Sequence, residues 1–292
     1  MLHHRLALAA NSGTRPMKTT LEPTGERLIE AAYVTDRASC AIYVMHAASY
    51  GFAESRVSGL RVLDLGCGSG YGAARLAAVA ASVTAVDVAD DAIAFARTAY
   101  PRPNLGFQVI AADQQLPFAD HSFDAIVSFQ VIEHVADDDA YLAEARRVLV
   151  PGGLLILATP DRKHRLFPGQ RPWNRWHLRE YSAGQLTALV SRHFEVVEAL
   201  RMGARSDIAR IEIDRYRWTR LFTLPVTFPG APEPWRRWGL NALHALRRQR
   251  AVVAAGDARA APDFGFGEQD IEFAVDVRHS LNLVMVGRSR AN

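Results

Sequence analysis

Short apolar strands alternate with helical segments along most of this chain, and this alternation is the feature that most limits the folds open to it. Strands and helices that alternate at this spacing form βαβ units, in which helices cover both faces of a parallel sheet. Ser182 is the expected N-cap of the last helix in the series. The pattern predicts strands at 60–65, 82–88, 106–113, 123–130, 154–160, 195–202 and 280–289, and helices at 71–81, 89–100, 137–150 and 182–194.

The segments on either side of this pattern have a different character. An Arg-rich stretch with the proline-containing run "TLPVTFPGAPEPWRRW" separates the last two strands, and we expect it to form helices near 206–222 and 235–254 and to cover the substrate. The predicted organisation is a disordered leader at 1–16, a helical segment at 17–59, a core at 60–202, an insertion at 203–279, and a final core strand with the C-terminus at 280–292.

Composition bounds the class of protein. With 292 residues, 49% of them hydrophobic and 22% charged, the chain is expected to be a soluble globular protein. The two cysteines, Cys40 and Cys67, form no disulfide framework, which fits a reducing cytoplasm. No apolar run is long enough to predict a membrane span. The sequence pI is about 9.0, but Lys18 and Lys163 are the only lysines, so we attribute the basic balance to an Arg-rich codon bias and expect no nucleic-acid partner.

A glycine-rich loop, "VLDLGCGSGYGA" at 62–73, follows the first predicted strand. Its glycines at Gly66, Gly68 and Gly70 let the backbone approach a ligand closely. A pyrophosphate bound at the next helix N-terminus would be repelled by Asp64 at the end of the strand. A carboxylate in that position suits a cationic amino group, such as the one on the methionyl part of S-adenosylmethionine (SAM).

Acidic or amide residues also end the next two predicted strands. Asp87 ends the second strand, where a carboxylate can accept hydrogen bonds from both ribose hydroxyls. The third strand ends in Asp113 and Gln114, which suit the exocyclic amine of adenine. Asp64 and Asp87 could also be simple turn or helix caps, but acids at three successive strand ends favour a ligand. The predicted cofactor-binding residues are Asp64, Gly66, Cys67, Gly68, Gly70, Asp87, Val88, Asp113, Gln114 and Gln130.

Four segments occur in order along 60–200: "VLDLGCGSGYG", "VDV", "AADQQLPFADHSFDAIVSFQVIEHV" and "EARRVLVPGGLLILATP". They resemble motifs of the class I SAM-dependent methyltransferases of the ubiquinone/menaquinone type. The resemblance implies SAM as the cofactor. It also implies an α/β fold with a Rossmann-like, seven-stranded, mostly parallel sheet flanked by helices, with an antiparallel hairpin formed by its last two strands.

Three flanking segments resemble a narrower group. "PTGERLIE", "FQVIEHV" and "NRWHLREYS" are similar to features of bacterial methyltransferases that modify sugars and glycans. More loosely, they resemble enzymes of mycobacterial polymethylated polysaccharide synthesis. This resemblance implies an O-methyltransferase that acts on a hydroxyl of a sugar or glycan precursor.

A hydroxyl nucleophile needs a group that accepts its proton as the new bond forms, and histidine suits that task at neutral pH. His134 follows the fourth strand and His177 lies in the loop after the fifth, so both are expected on the ligand side of the sheet. Glu133 or Glu180 could orient one of the rings. Either histidine could instead be a packing residue. The predicted catalytic residues are His134, Glu133 and His177.

Several alternatives stay open at this point. Related quinone O-methyltransferases hold a divalent ion with an E-x-x-E-H cluster, but Gln130 occupies its first position here, so Mg²⁺ is left unassigned. A quinone, phenol or other lipophilic metabolite could replace the sugar as acceptor. An RNA methyltransferase is favoured only by the pI, and a non-catalytic SAM-binding subunit is disfavoured by the intact motifs. The expected partner is a small molecule or an oligosaccharide, and a homodimer is left open.

Overall fold

A single mixed sheet organises the chain, for which the computed structural model describes residues 36–112, 115–252 and 263–290. Its strand order is β3-β2-β1-β4-β5-β8-β6-β7. The strands are β1 (Arg61–Leu65), β2 (Ser82–Asp87), β3 (Leu105–Val109), β4 (Phe123–Phe129), β5 (Leu149–Pro160), β6 (Phe194–Ala204), β7 (Ile271–Ala274) and β8 (Asn282–Ser289).

Helices cover both faces of this sheet. They are α1 (Arg37–Glu54), α2 (Tyr71–Leu76), α3 (Asp90–Ala99), α4 (Asp138–Val148), α5 (Arg162–Arg165), α6 (Ala183–Val190), α7 (Ser206–Thr227) and α8 (Glu233–Val252), with short 3₁₀ helices at Ile132–His134 and Glu268–Asp270. Ser182 caps α6 as predicted, because its hydroxyl accepts a hydrogen bond from the Gln185 N–H and the Gln185 side-chain oxygen accepts one from the Ser182 N–H. Within the described residues, no helix combines the length and the apolar character that a membrane crossing requires.

The central strands β1, β4 and β5 pair in parallel and are buried on both faces. Leu63, Ile126 and Leu157 belong to one apolar layer and Val62, Ala125 and Ile156 to the other, since successive side chains of a strand point to opposite faces. The fold class predicted from the sequence, an α/β protein with a Rossmann-like and mostly parallel sheet, is confirmed. Because the five strands β1–β5 run in one direction, their carboxyl ends form a single edge, and the loops that follow them lie together.

Within the described residues, the sheet has eight strands rather than the seven predicted. The additional strand, β7, lies within the predicted insertion and pairs antiparallel with Arg201–Ala204 of β6. β6 continues to Ala204, beyond the predicted end at 202, and its backbone groups there need partners. The four residues of β7 supply them. The antiparallel arrangement expected of the closing strands is present, since β8 runs antiparallel to both β5 and β6.

Several predicted elements differ in extent, and part of the predicted organisation lies outside the described residues. β5 begins at Leu149 rather than 154, and α6 ends at Val190 rather than 194. α2 stops at Leu76 rather than 81, and the Asn104 side chain donates to the carbonyl groups of Ala77 and Ala80 that a longer helix would use. β3 ends at Val109 rather than 113. The expected leader at 1–16, residues 17–35 of the expected helical segment, and Asp113 with Gln114 are not among the described residues.

The helices α7 and α8, which we call the helical cap, pack against residues 161–182 between β5 and α6. This segment, which includes the short helix α5, is called the β5–α6 loop below. Gln170 in that loop donates from Nε2 to the Arg220 carbonyl group and to the Thr227 hydroxyl group, both on α7. Arg236 of α8 donates to the Pro172 carbonyl group at 3.0 Å. The cap therefore holds the β5–α6 loop, which contains His177, against the edge where the parallel strands end.

Candidate active site

The glycine-rich loop leaves β1 at the carboxyl edge of the sheet. Gly66, Gly68 and Gly70 have φ angles of 91°, 54° and 85°, in the left-handed region that favours glycine. A Cβ atom on Gly68 would meet nothing within 4 Å, so the backbone there borders open space. The Gly68 backbone is therefore open to a ligand on this edge, whereas Gly66 packs against Val131 and Gly70 against Ala96 and Phe107.

Asp64 lies under this loop and is fully buried. Burial raises the pKa of its carboxyl to about 7, and the nearby Asp87 adds to the rise, whereas a hydrogen bond from Tyr50 lowers it. The Tyr50 hydroxyl, on α1, lies 3.3 Å from Asp64 Oδ2. A buried carboxyl whose nearby partner is a neutral phenol is short of positive charge. The site therefore fits a ligand that brings a cationic amino group.

Asp87, at the end of β2, connects the glycine loop to the next helix. Its Oδ2 accepts a hydrogen bond from the Gly68 N–H at 2.8 Å, and its Oδ1 accepts one from the Ala89 N–H at 2.9 Å. Val88 beside it is 58% exposed, so an apolar ligand surface can pack there. Cys67 is buried, and burial raises the pKa of its thiol, which argues against a nucleophilic role.

Gln130 follows β4 with a φ angle of 58°, which is uncommon for a residue other than glycine. Its N–H donates to the Ala158 carbonyl group at 2.8 Å, and this bond fixes the turn that ends the strand. The 3₁₀ helix Ile132–His134 begins immediately afterwards. Strained backbone of this kind is concentrated at functional sites, where it directs side chains that a regular turn would point elsewhere.

Glu133, His134 and His177 come together directly after this turn. One potential ligand atom from each lies within 4.8 Å of the others. The two imidazole rings meet edge to face with centroids 4.8 Å apart. The Leu178 N–H donates to the Glu133 carbonyl group at 2.9 Å, which ties the β5–α6 loop to the 3₁₀ helix. The three residues predicted to be catalytic therefore form one cluster.

Hydrogen bonds fix how each ring of the cluster is presented. His134 Nδ1 lies 3.2 Å from the Trp176 carbonyl oxygen, and His177 Nδ1 lies 2.9 Å from Glu180 Oε1. Because both partners only accept, each Nδ1–H is the donor in its hydrogen bond. His177 is 4% exposed, whereas His134 is only partly buried.

Glu180 is held in turn by Arg165, whose guanidinium donates to both carboxylate oxygens at 2.9 Å. Burial acts to raise the pKa of the Glu180 carboxyl, but the Arg165 charge and the His177 ring hold it at about 2. Glu133 is fully buried, and its Oε2 accepts from the Thr159 hydroxyl at 2.9 Å. Its Oε1 has no hydrogen-bond partner among the described residues.

Comparison with known proteins identifies the family of this chain. A model described as a methyltransferase domain matches residues 63–157. A protein of Mycolicibacterium smegmatis named a probable SAM-dependent methyltransferase is 35% identical over 204 residues, which is 69% of this chain and 77% of the relative. The chain belongs to the SAM-dependent methyltransferases.

Two more distant similarities concern a relative with a named reaction and a solved structure with the same fold. A ubiquinone biosynthesis O-methyltransferase of a Caulobacter species is 37% identical to this methyltransferase over 114 residues, which is 38% of this chain and 45% of that enzyme. The crystal structure of a SAM-dependent methyltransferase from Mesorhizobium loti superposes with a TM-score of 0.51 at 16% identity, covering 84% of this chain and 99% of the other. That likeness supports the Rossmann-like fold alone.

SAM is the cofactor of the methyltransferase, and three of the predicted cofactor residues, Asp64, Gly68 and Asp87, lie at one edge of the sheet. The buried Asp64 carboxyl lacks a cationic partner among the described residues, the Gly68 backbone is open, and Asp87 closes the loop beside it. Tyr50 is a site residue that the sequence did not reveal, because the periodicity of α1 does not tell which of its residues reaches β1. Arg165 was also missed, since it stands in a short basic helix that reads as a solvated turn.

The same cluster of Glu133, His134 and His177 has the composition of a metal site. One carboxylate and two imidazoles suit Zn²⁺ or a similar first-row ion better than Mg²⁺, which prefers oxygen ligands. The carboxylate on His177 Nδ1 resembles the outer partner that a metal-bound histidine usually has. His177, rather than residue 130, would supply the third ligand in the methyltransferase.

Proposed function

We propose that this methyltransferase transfers the methyl group of SAM to a hydroxyl of a sugar or glycan precursor. The observation that carries the proposal is the cluster of His134, Glu133 and His177 beside the glycine loop. A weakly acidic hydroxyl needs a proton acceptor of this kind, whereas a more acidic phenol needs it less. The similarity of "PTGERLIE" and "NRWHLREYS" to sugar methyltransferases supports the choice of acceptor.

His134 is the proposed general base. The Trp176 carbonyl group holds its Nδ1–H, so Nε2 is presented as the acceptor of the hydroxyl proton. The nearby Glu133 carboxylate stabilises the imidazolium that results. When bound, SAM supplies an activated methyl group, and alignment of the hydroxyl with that group accounts for much of the rate.

His177 is the proposed positioning residue of the same site. It is almost fully buried, and its Nδ1–H is committed to the Glu180 carboxylate. Its ring packs edge to face against His134 and limits how that ring can turn. His134 is therefore the proposed base because it is more exposed, and His177 is the proposed support because it is buried and its Nδ1–H is bonded to Glu180.

A quinone or another phenolic metabolite is the second candidate acceptor. The match to a ubiquinone biosynthesis O-methyltransferase favours it, although less than half of that enzyme is covered. The exposed Trp176 and Leu178 beside the cluster could contact a lipophilic ring as well as a sugar. The chemistry at His134 would be the same for both acceptors.

An acceptor screen with SAM that carries a labelled methyl group tests the proposal. The panel contains mono- and oligosaccharides, quinols with phenols, and transfer RNA, and mass spectrometry locates the added methyl group. We expect a methyl ether on a sugar hydroxyl. Transfer only to phenolic oxygen would select the second candidate, and transfer to nitrogen or carbon would contradict both.

A further inference from the structure

We propose that a basic pocket between the β5–α6 loop and α8 binds a phosphoryl group on the acceptor, so that the substrate is a phosphorylated sugar or glycan precursor. This inference rests on the proposed function, because it assigns the pocket to the acceptor. The pocket, which we call the arginine pocket, has a volume of about 250 Å³ and is lined by Arg175, Trp176, Arg236, Arg237, Leu240 and Asn241.

Arg236 is the buried cation of the arginine pocket. It is 6% exposed, and its Nη2 donates to the Pro172 carbonyl group at 3.0 Å. Its Nε is buried and has no hydrogen-bond partner among the described residues. Burial lowers the pKa of Arg236, the Arg171 charge adds to this, and Glu233 opposes it. A guanidinium in such surroundings is incompletely compensated and favours a bound anion.

The charge around Arg236 is strongly positive. Glu233 lies 3.2 Å from Arg236, but it also pairs with Arg171 and its side chain is 48% exposed. Arg175 and Arg237 have no carboxylate partner within the described parts of the chain. Arg175 donates from Nη1 to Asn241 at 3.1 Å, and its buried Nε lacks a hydrogen-bond partner in the same described set. Among the described residues, three arginines therefore line one cavity, and the only carboxylate paired with any of them, Glu233, is shared with Arg171.

The residue types favour a phosphoryl group over other anions. Guanidinium groups present several N–H donors in a planar fork that matches the oxygens of phosphate. Three guanidinium groups offer more N–H donors than the two oxygens of one carboxylate can accept. A phosphoryl group has three strong acceptor oxygens and about two negative charges. The Arg175 guanidinium also lies 4.2 Å from the centre of the Trp176 ring, which keeps it in place beside the cavity.

The position of the pocket connects it to the catalytic cluster. The Trp176 carbonyl oxygen accepts from His134 Nδ1, while the Trp176 side chain lines the pocket. Arg236 Nη2 also lies 3.4 Å from the His177 carbonyl oxygen. One short loop segment therefore contributes to both sites. An anion anchored here would hold its parent molecule next to the proposed base.

Calorimetric titration of the full chain, saturated with S-adenosylhomocysteine, tests the pocket without requiring methyl transfer. The probes are inorganic phosphate, glucose 6-phosphate, glucuronate and glucose. The variants are Arg175→Gln and Arg237→Gln, with Arg217→Gln as the control because Arg217 is an exposed arginine on α7 outside the pocket. We expect each pocket variant to weaken phosphate binding by about 10- to 100-fold, the range for a charge-assisted hydrogen bond.

The possible outcomes distinguish a failure of the proposed phosphoryl site from a failure of the proposed function. Tighter binding of glucose 6-phosphate than of inorganic phosphate, lost in the pocket variants and kept in Arg217→Gln, supports a phosphorylated acceptor. Equal phosphate binding by all proteins overturns the site, and tighter binding of glucuronate than of phosphate overturns the choice of anion. Binding that behaves as expected, together with no methylation of any sugar in the acceptor screen, would count against the proposed function while leaving the pocket intact.

Discussion

At the scale of single residues, Asp64 combines a cost to folding with a benefit to binding. Its pKa is raised from 3.8 to about 7, so in the free protein it binds a proton more tightly than in the unfolded chain. Its contribution to stability is therefore fully present below pH 3.8 and is lost as the pH rises through about 7. If the amino group of SAM binds the ionised carboxylate, as the sequence predicts, it recovers part of that loss.

We expect Asp64→Asn to melt at a higher temperature than the wild type at pH 8 and yet to bind SAM about 10- to 100-fold more weakly. Wild-type affinity should increase from pH 5.5 to 7.5, approaching tenfold per pH unit where the carboxyl is mostly protonated. The variant should lack this pH dependence. Thermal unfolding and calorimetry on both proteins measure these quantities, and a pH-independent wild-type affinity would contradict the assignment.

The cluster at the end of β4 leads to a kinetic prediction. His134→Ala should lower kcat by about 10²- to 10⁴-fold, because a general base contributes that much, and leave SAM affinity nearly unchanged. His177→Ala should have a smaller effect. Both are measured at saturating SAM between pH 6 and 9. Near-normal kcat in His134→Ala, together with a large loss in His177→Ala, would reverse the two roles.

Metal removal decides between a base and a metal ligand. If His134 Nε2 accepts the proton, dialysis against EDTA should leave the rate of methyl transfer unchanged. The measurement is the rate and the metal content before and after dialysis. A loss of activity that Zn²⁺ or Mn²⁺ restores in the wild type would make Glu133, His134 and His177 ligands, and the base would have to be sought elsewhere.

At the scale of elements, the loop between β5 and α6 is the part on which the proposed chemistry depends most. It carries His177 and Glu180, it is tied to the 3₁₀ helix through Leu178, and the helical cap packs on its outer side. Arg165 in α5 anchors it from within, and this arginine and Glu180 are both nearly fully buried. A change in this ion pair should therefore affect both stability and the orientation of His177.

Glu180→Gln should reduce the free energy of unfolding by about 3 kcal/mol or more at neutral pH, since it leaves a buried guanidinium without its counter-charge. The Glu180 pKa is lowered from 4.5 to about 2, so its contribution is present above pH 4.5 and is lost as the pH falls through about 2. Urea unfolding at pH 7 measures the difference. The matched control is Glu198→Gln, whose partner Arg56 and own side chain are 28% and 33% exposed, and which should change stability by less than about 1 kcal/mol.

The elements that the sequence predicted and those that it missed differ in a physical way. Strands such as β1 and β4 are buried on both faces, so their mostly apolar runs, and the glycine-rich loop after β1, are visible in the sequence. β7 is four residues long and is stabilised by its pairing with the end of β6 rather than by its own pattern. The early end of α2 depends on Asn104, which is distant in sequence.

At the scale of the whole molecule, the site residues that the sequence predicted lie at strand ends, whereas those that it missed reach the site through tertiary packing. Asp64 and Asp87 lie at the carboxyl ends of β1 and β2, and His134 follows β4 within five residues, so a parallel sheet brings them to one edge. Arg236 approaches His177 only because α8 folds back over the β5–α6 loop, and nothing local to either residue encodes that contact. Tyr50 reaches Asp64 by a similar tertiary route.

The position of β8 in the sheet has a consequence for biosynthesis. β8 lies between β5 and β6, yet it is translated after both of them and after the helical cap. Until Ser289 has left the ribosome, the nascent chain carries two strands with unpaired inner edges, which are sites at which other chains can aggregate. Binding by a chaperone during that interval would protect them. The sheet is therefore complete only when β8, which is synthesised after the other seven described strands, pairs with β5 and β6.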